Sequence, residues 1–157
     1  MREFVFRGKP KNKADYELLK KMYRDNCKDG FIYGSLVISH SKYYICIMAL
    51  CQINSLVNNG TTTMFEVIPE TVGEYTWLKD NNGKRIFEGD ILKVKSYDYD
   101  YEYLTKVYCN SHVLCVDVYG QDYDFTAIGF ADDVWDDECC EIKVIGNIHD
   151  NPELLKG

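Results

Sequence analysis

The chain has no apolar run long enough to cross a bilayer. Its longest, Tyr43–Cys51 (YYICIMALC), holds nine residues, well short of the roughly 20 that a membrane-spanning helix needs. That segment reads as a buried strand, and no membrane association is expected. Positive charge is also scarce. Eighteen Lys and Arg face 25 Asp and Glu, giving a net charge of −7 and a pI near 4.9. This weighs against a protein that grips phosphate backbones non-specifically, since such binding is driven by cationic side chains displacing counterions; only a local basic patch would serve. Only three histidines occur, His40, His112 and His149, and no Ser or Cys nucleophile can be paired with a positioned base. Gly8, Gly30 and Gly34 form neither GxxxxGK(S/T) nor GxGxxG, so no phosphate-cradling loop is present. Seven cysteines, an odd number without regular spacing, give no disulfide framework, and Met1–Pro10 lacks a secretory leader pattern. Reduced thiols in a cytoplasm are the expectation.

What is present is globular composition, 46% hydrophobic and 27% charged. A chain of 157 residues suits one domain or two small lobes sharing a core. The most legible stretch is Phe65–Val94. Pro69 presets φ for a helical or 3₁₀ corner after Val67-Ile68, and Gly73 is expected to close it in the left-handed region. Asn82-Gly83, between Tyr75–Leu78 and Arg85–Phe87, predicts a hairpin with a two-residue type I′ turn, because both residue types accept positive φ. Glu88-Gly89-Asp90 then turns the chain into Ile91–Lys95, where Leu92 and Val94 share one face and the lysines the other.

The residues Pro69-Glu70-Thr71-Val72-Gly73, Tyr75-Thr76, Leu78-Lys79-Asp80, Asn82-Gly83-Lys84 and Ile86-Phe87-Glu88-Gly89-Asp90-Ile91 resemble the shared segment of the YopX family of bacteriophage and prophage proteins. Further similarity lies at Arg2-Glu3-Phe4, Phe6-Arg7-Gly8-Lys9, Asp29-Gly30 through Tyr33-Gly34, Val144–Ile148 and Asn151–Leu155. Two positions depart: Glu74 stands where the family usually has Gln, and Trp77 where it usually has Gly. The resemblance implies a phage-borne, mostly β protein whose biochemical role is not established.

Along the rest of the chain, Arg2–Arg7 reads as a strand ended by Gly8-Lys9-Pro10. Asn12–Asn26 looks like an insertion relative to the family, carrying a short amphipathic helix over Ala14–Tyr23. Leu18, Leu19, Met22 and Tyr23 fall on one face of it, expected to pack on the protein's own core rather than on a partner. Phe31–Ile38 suggests one bent strand, or a bulge at Gly34. Ser39-His40-Ser41 turns the chain, and Asn54–Thr63 reads as an exposed loop or hairpin tip. Leu104–Asn110, Val113–Tyr119 and Tyr123–Phe130 suggest a β-meander. Glu141–Ile148 is a closing strand, and Glu153–Gly157 is too short to fold alone. The expected fold is mainly β (α+β): an N-terminal part, residues 1–75, with strands and the inserted helix, joined to residues 76–157 as a small SH3-like barrel or bent antiparallel sheet.

Three constellations bear on chemistry. Cys109-x-x-His112-x-x-Cys115 with Cys139-Cys140 offers zinc-type ligands, but the spacing departs from the tight knuckles that structural sites use, so no metal and no cofactor are expected. Glu88 and Asp90 are more simply read as residues that cap backbone amides beside a turn glycine than as an acid–base pair. Tyr97, Tyr99, Tyr101 and Tyr103 alternate with Asp98, Asp100 and Glu102, and Trp135 sits among Asp132, Asp133, Asp136, Asp137 and Glu138. Tyrosine and tryptophan give large amphipathic contact area, so Tyr97, Tyr99, Tyr101, Tyr103, Trp135, Asp136 and Asp137 form the candidate partner surface. The leading expectation is a non-enzymatic phage or prophage accessory protein that contacts a host or phage protein, with homo-oligomerisation also compatible. A small-barrel nucleic-acid-binding module is the alternative, to be recognised by a clustered basic face, and an enzyme is the least supported reading.

Overall fold

The computed structural model describes residues 5–49, 61–97, 102–110, 113–117, 126–127 and 140–156. The chain divides into two compact units, Met1–Glu74 and Tyr75–Gly157. The first contains β1 (Phe6–Gly8), helix α1 (Lys13–Met22), β2 (Cys27–Lys28), β3 (Phe31–Ser39), β4 (Lys42–Ala49) and β5 (Thr61–Val67). Its antiparallel strands run in the order β5-β4-β3-β1, with β2 folded back on the start of β3. β3 changes partner midway: Ile32–Gly34 pair with β1 and Ser35–Ser39 with β4. Gly34 sits at that changeover, where a Cβ would collide with the carbonyl oxygen of Cys46. Close backbone approach, rather than a bulge, is what requires glycine there.

Two tight hairpins build this unit. Asp29 and Gly30 have φ of 52° and 79° between the paired Lys28 and Phe31, and His40 and Ser41 have φ of 50° and 61° between the paired Ser39 and Lys42. Positive φ at both central residues is the type I′ geometry, whose twist matches that of the flanking strands. Helix α1 starts at Asn12, whose Oδ1 accepts the Ala14 N–H at 3.0 Å. It buries Leu19 against Cys27, Ile32, Ile45, Ile47 and Val67. β4 is therefore half-buried, with Ile45 and Ile47 in the core while Cys46 between them is partly exposed.

The corner at Pro69–Gly73 is held without a left-handed residue. Pro69–Thr71 form a 3₁₀ turn and Val72 returns to extended geometry (φ −71°, ψ 127°), so Gly73 instead opens β6 (Gly73–Lys79). The buried Thr71 hydroxyl donates to the Ile68 carbonyl at 2.7 Å and accepts the Lys9 N–H at 2.8 Å. Ile68 N–H donates to the Lys9 carbonyl at 2.9 Å. Asn54–Gly60 lie outside the described residues, whereas Thr61–Thr63, expected in a loop, belong to β5 because they pair with Ile47–Ala49.

The second unit takes the rest of β6, then β7 (Arg85–Phe87), β8 (Asp90–Ser96), β9 (Glu102–Lys106), β10 (Tyr108–Asn110), β11 (Val113–Val116), β12 (Thr126–Ala127) and β13 (Cys140–Asn147). Leu104–Asn110 is not one strand: it breaks at Val107, which is buried and exchanges backbone bonds with Gly89 and Asp90. Two three-stranded antiparallel sheets result, β13-β8-β9 and the meander β10-β11-β12. Among the described residues no closed barrel forms, so the mainly β expectation holds while the SH3-like barrel does not appear. Ile86, Leu92, Val94, Val107, Val116, Cys140 and Ile142 make the core.

The β6–β7 hairpin forms, but not by the expected two-residue turn. Only Gly83 has positive φ (76°). Gly83 N–H donates to the Asp80 carbonyl at 2.8 Å and Asp80 N–H to the Lys84 carbonyl at 2.9 Å. This is a type I turn over Asn81-Asn82 followed by a left-handed glycine bulge, a five-residue connection between the paired Lys79 and Arg85. Trp77 adds a second irregularity: its φ is +70°, and the β6–β7 register shifts between Tyr75 and Lys79.

Candidate functional site

Several polar residues that carry the family resemblance, Asp80, Asp90 and Asn147 among them, turn inward onto backbone. Asp80 is buried; its Oδ1 accepts the N–H groups of Asn82 (2.9 Å) and Lys84 (2.8 Å), and its Oδ2 accepts that of Val144 (3.1 Å). Asn81 Oδ1 accepts the Ile142 N–H at 2.5 Å, and Asn81 N–H donates to the Ile142 carbonyl at 3.1 Å. The hairpin tip thus closes its own turn and satisfies the edge of β13. Asp90, buried beside Gly89 (φ 82°), accepts the Phe87 N–H at 2.8 Å through Oδ2. Asn147 Oδ1 accepts the N–H groups of His149 and Asp150, each at 3.0 Å. Asp90 is thereby an amide cap.

Cys109 and Cys115 of the cysteine–histidine constellation do not converge. Cys109 pairs with Leu114 and Cys115 with Tyr108, and because side chains alternate along a strand the two thiols project from opposite faces. Cys109 is exposed and Cys115 fully buried. Burial pushes the Cys115 thiol up, away from the thiolate that metals and nucleophilic chemistry require. Cys140 packs in the core, while His112 and Cys139 lie outside the described residues.

Of the candidate partner surface, Tyr97 and Tyr103 are described. Tyr97 follows the end of β8 and is 56% exposed, whereas Tyr103, opposite Val94 on β9, packs against the core. Lys95 of β8 pairs with Glu102 of β9, so Tyr97 and Tyr103 do not lie on one strand. Tyr99, Tyr101, Trp135, Asp136 and Asp137 lie outside the described residues. Charge is distributed unevenly: the first unit holds ten basic and eight acidic residues, the second eight and seventeen. Helix α1 departs from expectation, since Leu18 and Met22 are 58% and 63% exposed while Leu19 is buried. Periodicity alone misses this, because a ten-residue helix with two apolar edges can bury only one of them.

A mixed-charge face lies on the outer side of β13-β8-β9. Lys95 is flanked across the strands by Glu141 and Glu102, and Lys93 by Lys143 and Leu104. Lys93 Nζ contacts Glu102 Oε1 at 2.8 Å and Lys143 Nζ contacts Glu141 Oε1 at 2.6 Å. The hydrogen bond from Lys143 holds the Glu141 carboxyl below the usual glutamate range and is the main reason the Lys143 ammonium titrates above the ordinary lysine value. These five side chains line a shallow groove of about 140 Å³.

Among the described residues no helix is long and apolar enough to cross a membrane. The SPbeta prophage-derived uncharacterized protein YopX of Bacillus subtilis (strain 168) is 36% identical over 83 residues, covering 52% of this chain and 58% of that relative, so the match spans little more than half the relative's length. The X-ray crystal structure of protein yopX from Bacillus subtilis superposes over 99% of both chains with a TM-score of 0.55 at 21% identity, a likeness of fold. A family model described as YopX protein matches residues 19–156. That match takes in helix α1 from Leu19 onward, the Asp80 and Asp90 turns and the Asn147 turn, and the chain belongs to the YopX family.

Proposed function

We propose that the protein is a non-enzymatic accessory protein of a phage or prophage that acts by protein–protein contact in the bacterial cytoplasm. One observation carries this reading: the buried polar residues of the shared motif are consumed in holding backbone, while large apolar and aromatic side chains stand outside. Asp80, Asp90 and Asn147 each accept backbone amides, whereas Leu18, Met22, Trp77 and Tyr97 are 44–63% exposed. Exposed aromatic and long apolar side chains are the usual anchors of protein interfaces. The acidic excess of the second unit, including the stretch around Trp135, Asp136 and Asp137, suits a basic partner, whose encounter it would speed in a salt-dependent way.

The test is capture from a nuclease-treated bacterial lysate with the tagged full chain and its Tyr97→Ala variant. A stoichiometric protein partner that survives nuclease and weakens with Tyr97→Ala is the expected result. Retention by Tyr97→Ala with loss on Leu18→Ser and Met22→Ser would move the contact to α1. Failure to retain any nuclease-resistant protein would refute the proposal.

A further inference from the structure

We infer that the outer face of β13-β8-β9 is a binding track for single-stranded nucleic acid. Strand register supplies the first argument. Residues opposite one another in antiparallel strands point to the same side, so Lys93 and Lys95 of β8 share an open face with Glu141 and Lys143 of β13 and with Glu102, Leu104 and Lys106 of β9, while Ile91, opposite Lys106, is covered. Four lysines and two glutamates make this face net positive within a unit whose acids outnumber its bases by seventeen to eight. Composition does not account for such clustering.

Like-charge placement is the second argument. Lys93 stands directly opposite Lys143, a juxtaposition that destabilises a sheet and that an acid at either position would remove. Each ammonium is instead drawn to a glutamate in the neighbouring row, Lys93 to Glu102 and Lys143 to Glu141. Both pairs are solvent-exposed, so the glutamates hold the lysines loosely and exchange readily for a stronger anion. A phosphate between Lys93 and Lys143 takes both ammonium groups at once.

Aromatic rings flank the track. Tyr97 follows β8 at one end, 56% exposed, and at the other Lys106 Nζ lies 5.5 Å from the Tyr108 ring centroid. A cationic groove bordered by rings is how sequence-tolerant single-strand binders work, the rings stacking on unpaired bases. From Lys95 to Lys106, which stands opposite the buried Ile91, the lysines span four residue steps, roughly 13 Å at the usual rise, room for about two nucleotides. Near physiological ionic strength charges beyond about 8 Å are screened, so the local lysines govern binding rather than the net charge of the chain.

The experiment uses the full chain and a fluorescein-labelled twelve-nucleotide oligo-dT, read by anisotropy in 50 mM and 200 mM salt. Three lysines neutralising phosphate predict a loss of about 20-fold in affinity between the two salts, from the single-strand slope of roughly −0.7 per contact. Lys93→Gln with Lys143→Gln weakens binding and shrinks the salt effect to about threefold. Glu102→Gln with Glu141→Gln tightens binding, a result that mere solvation of an ion-pair face does not produce. No binding in 50 mM salt, no effect of the lysine pair, or weaker binding after loss of the glutamates would overturn the inference. Tighter binding of a duplex of equal length, or equal binding of polyglutamate, would also overturn it, the latter by reassigning the face to an acidic protein.

Discussion

Replacing Trp77 by alanine and by glycine separates backbone strain from ring packing. Both substitutions delete the indole, whose centroid lies 5.2 Å from that of Tyr75, so what that contact contributes cancels in the comparison. At an ordinary strand position glycine is less stable than alanine by about 0.5–1 kcal/mol, because it loses more backbone freedom on folding. At φ +70° a Cβ crowds the following carbonyl, which costs a non-glycine residue roughly 1–2 kcal/mol that glycine escapes. The order therefore reverses, and Trp77→Gly should be more stable than Trp77→Ala by about 0.5–1 kcal/mol. In a chain of this length that is a difference of roughly 1–4 °C in Tm. Urea midpoints followed by far-UV circular dichroism, with unchanged slopes, give the value directly. Alanine equal to or more stable than glycine would refute the left-handed assignment and the bulge built on it.

Three further outcomes are expected. Asp80→Ala strips the acceptor from three backbone amides; those of the exposed Asn82 and Lys84 can turn to water, so the cost should stay near the low end of roughly 1–3 kcal/mol per donor left unpaired, about 3 kcal/mol in all, and Asp80→Asn, which keeps one acceptor oxygen, should cost less, both read from urea midpoints. Ser41→Gly should stabilise by about 1 kcal/mol, because Ser41 holds φ 61° in a type I′ turn, and destabilisation would argue that the side chain contributes more than the strain. Glu66 accepts from Lys11 at 2.7 Å and Lys42 at 3.3 Å, and the Lys11 hydrogen bond holds its carboxyl below the usual glutamate range. A depressed carboxyl stabilises the fold above the unfolded value and loses that contribution as pH falls through the folded one, from about pH 4 downward. An NMR titration should find the Glu66 midpoint low and returned toward ordinary by Lys11→Ala; an unchanged midpoint would show that the tie does not persist in solution.

What was legible in the sequence is what is decided within a few residues. Asp29-Gly30, Gly83 and Gly89 take positive φ because little else tolerates it, Pro69 opens its 3₁₀ turn, and Leu92 and Val94 go to the core while Lys93 and Lys95 do not. Mainly antiparallel β structure with one short helix follows from such local rules. Tertiary structure decided the rest, because the deciding partners are distant in sequence. His40-Ser41 adopts a type I′ turn without favourable residues, since Ser39–Lys42 pairing and burial of Ile45 leave two residues to reverse the chain. Asp80 and Asn81 reach amides 64 and 61 residues away, and no local pattern marks that reach. The lysine face was half visible: alternation on β8 put Lys93 and Lys95 outward, but only register with β13 and β9 places Lys143 opposite Lys93 and brings Glu141, Glu102 and Lys106 onto the same side.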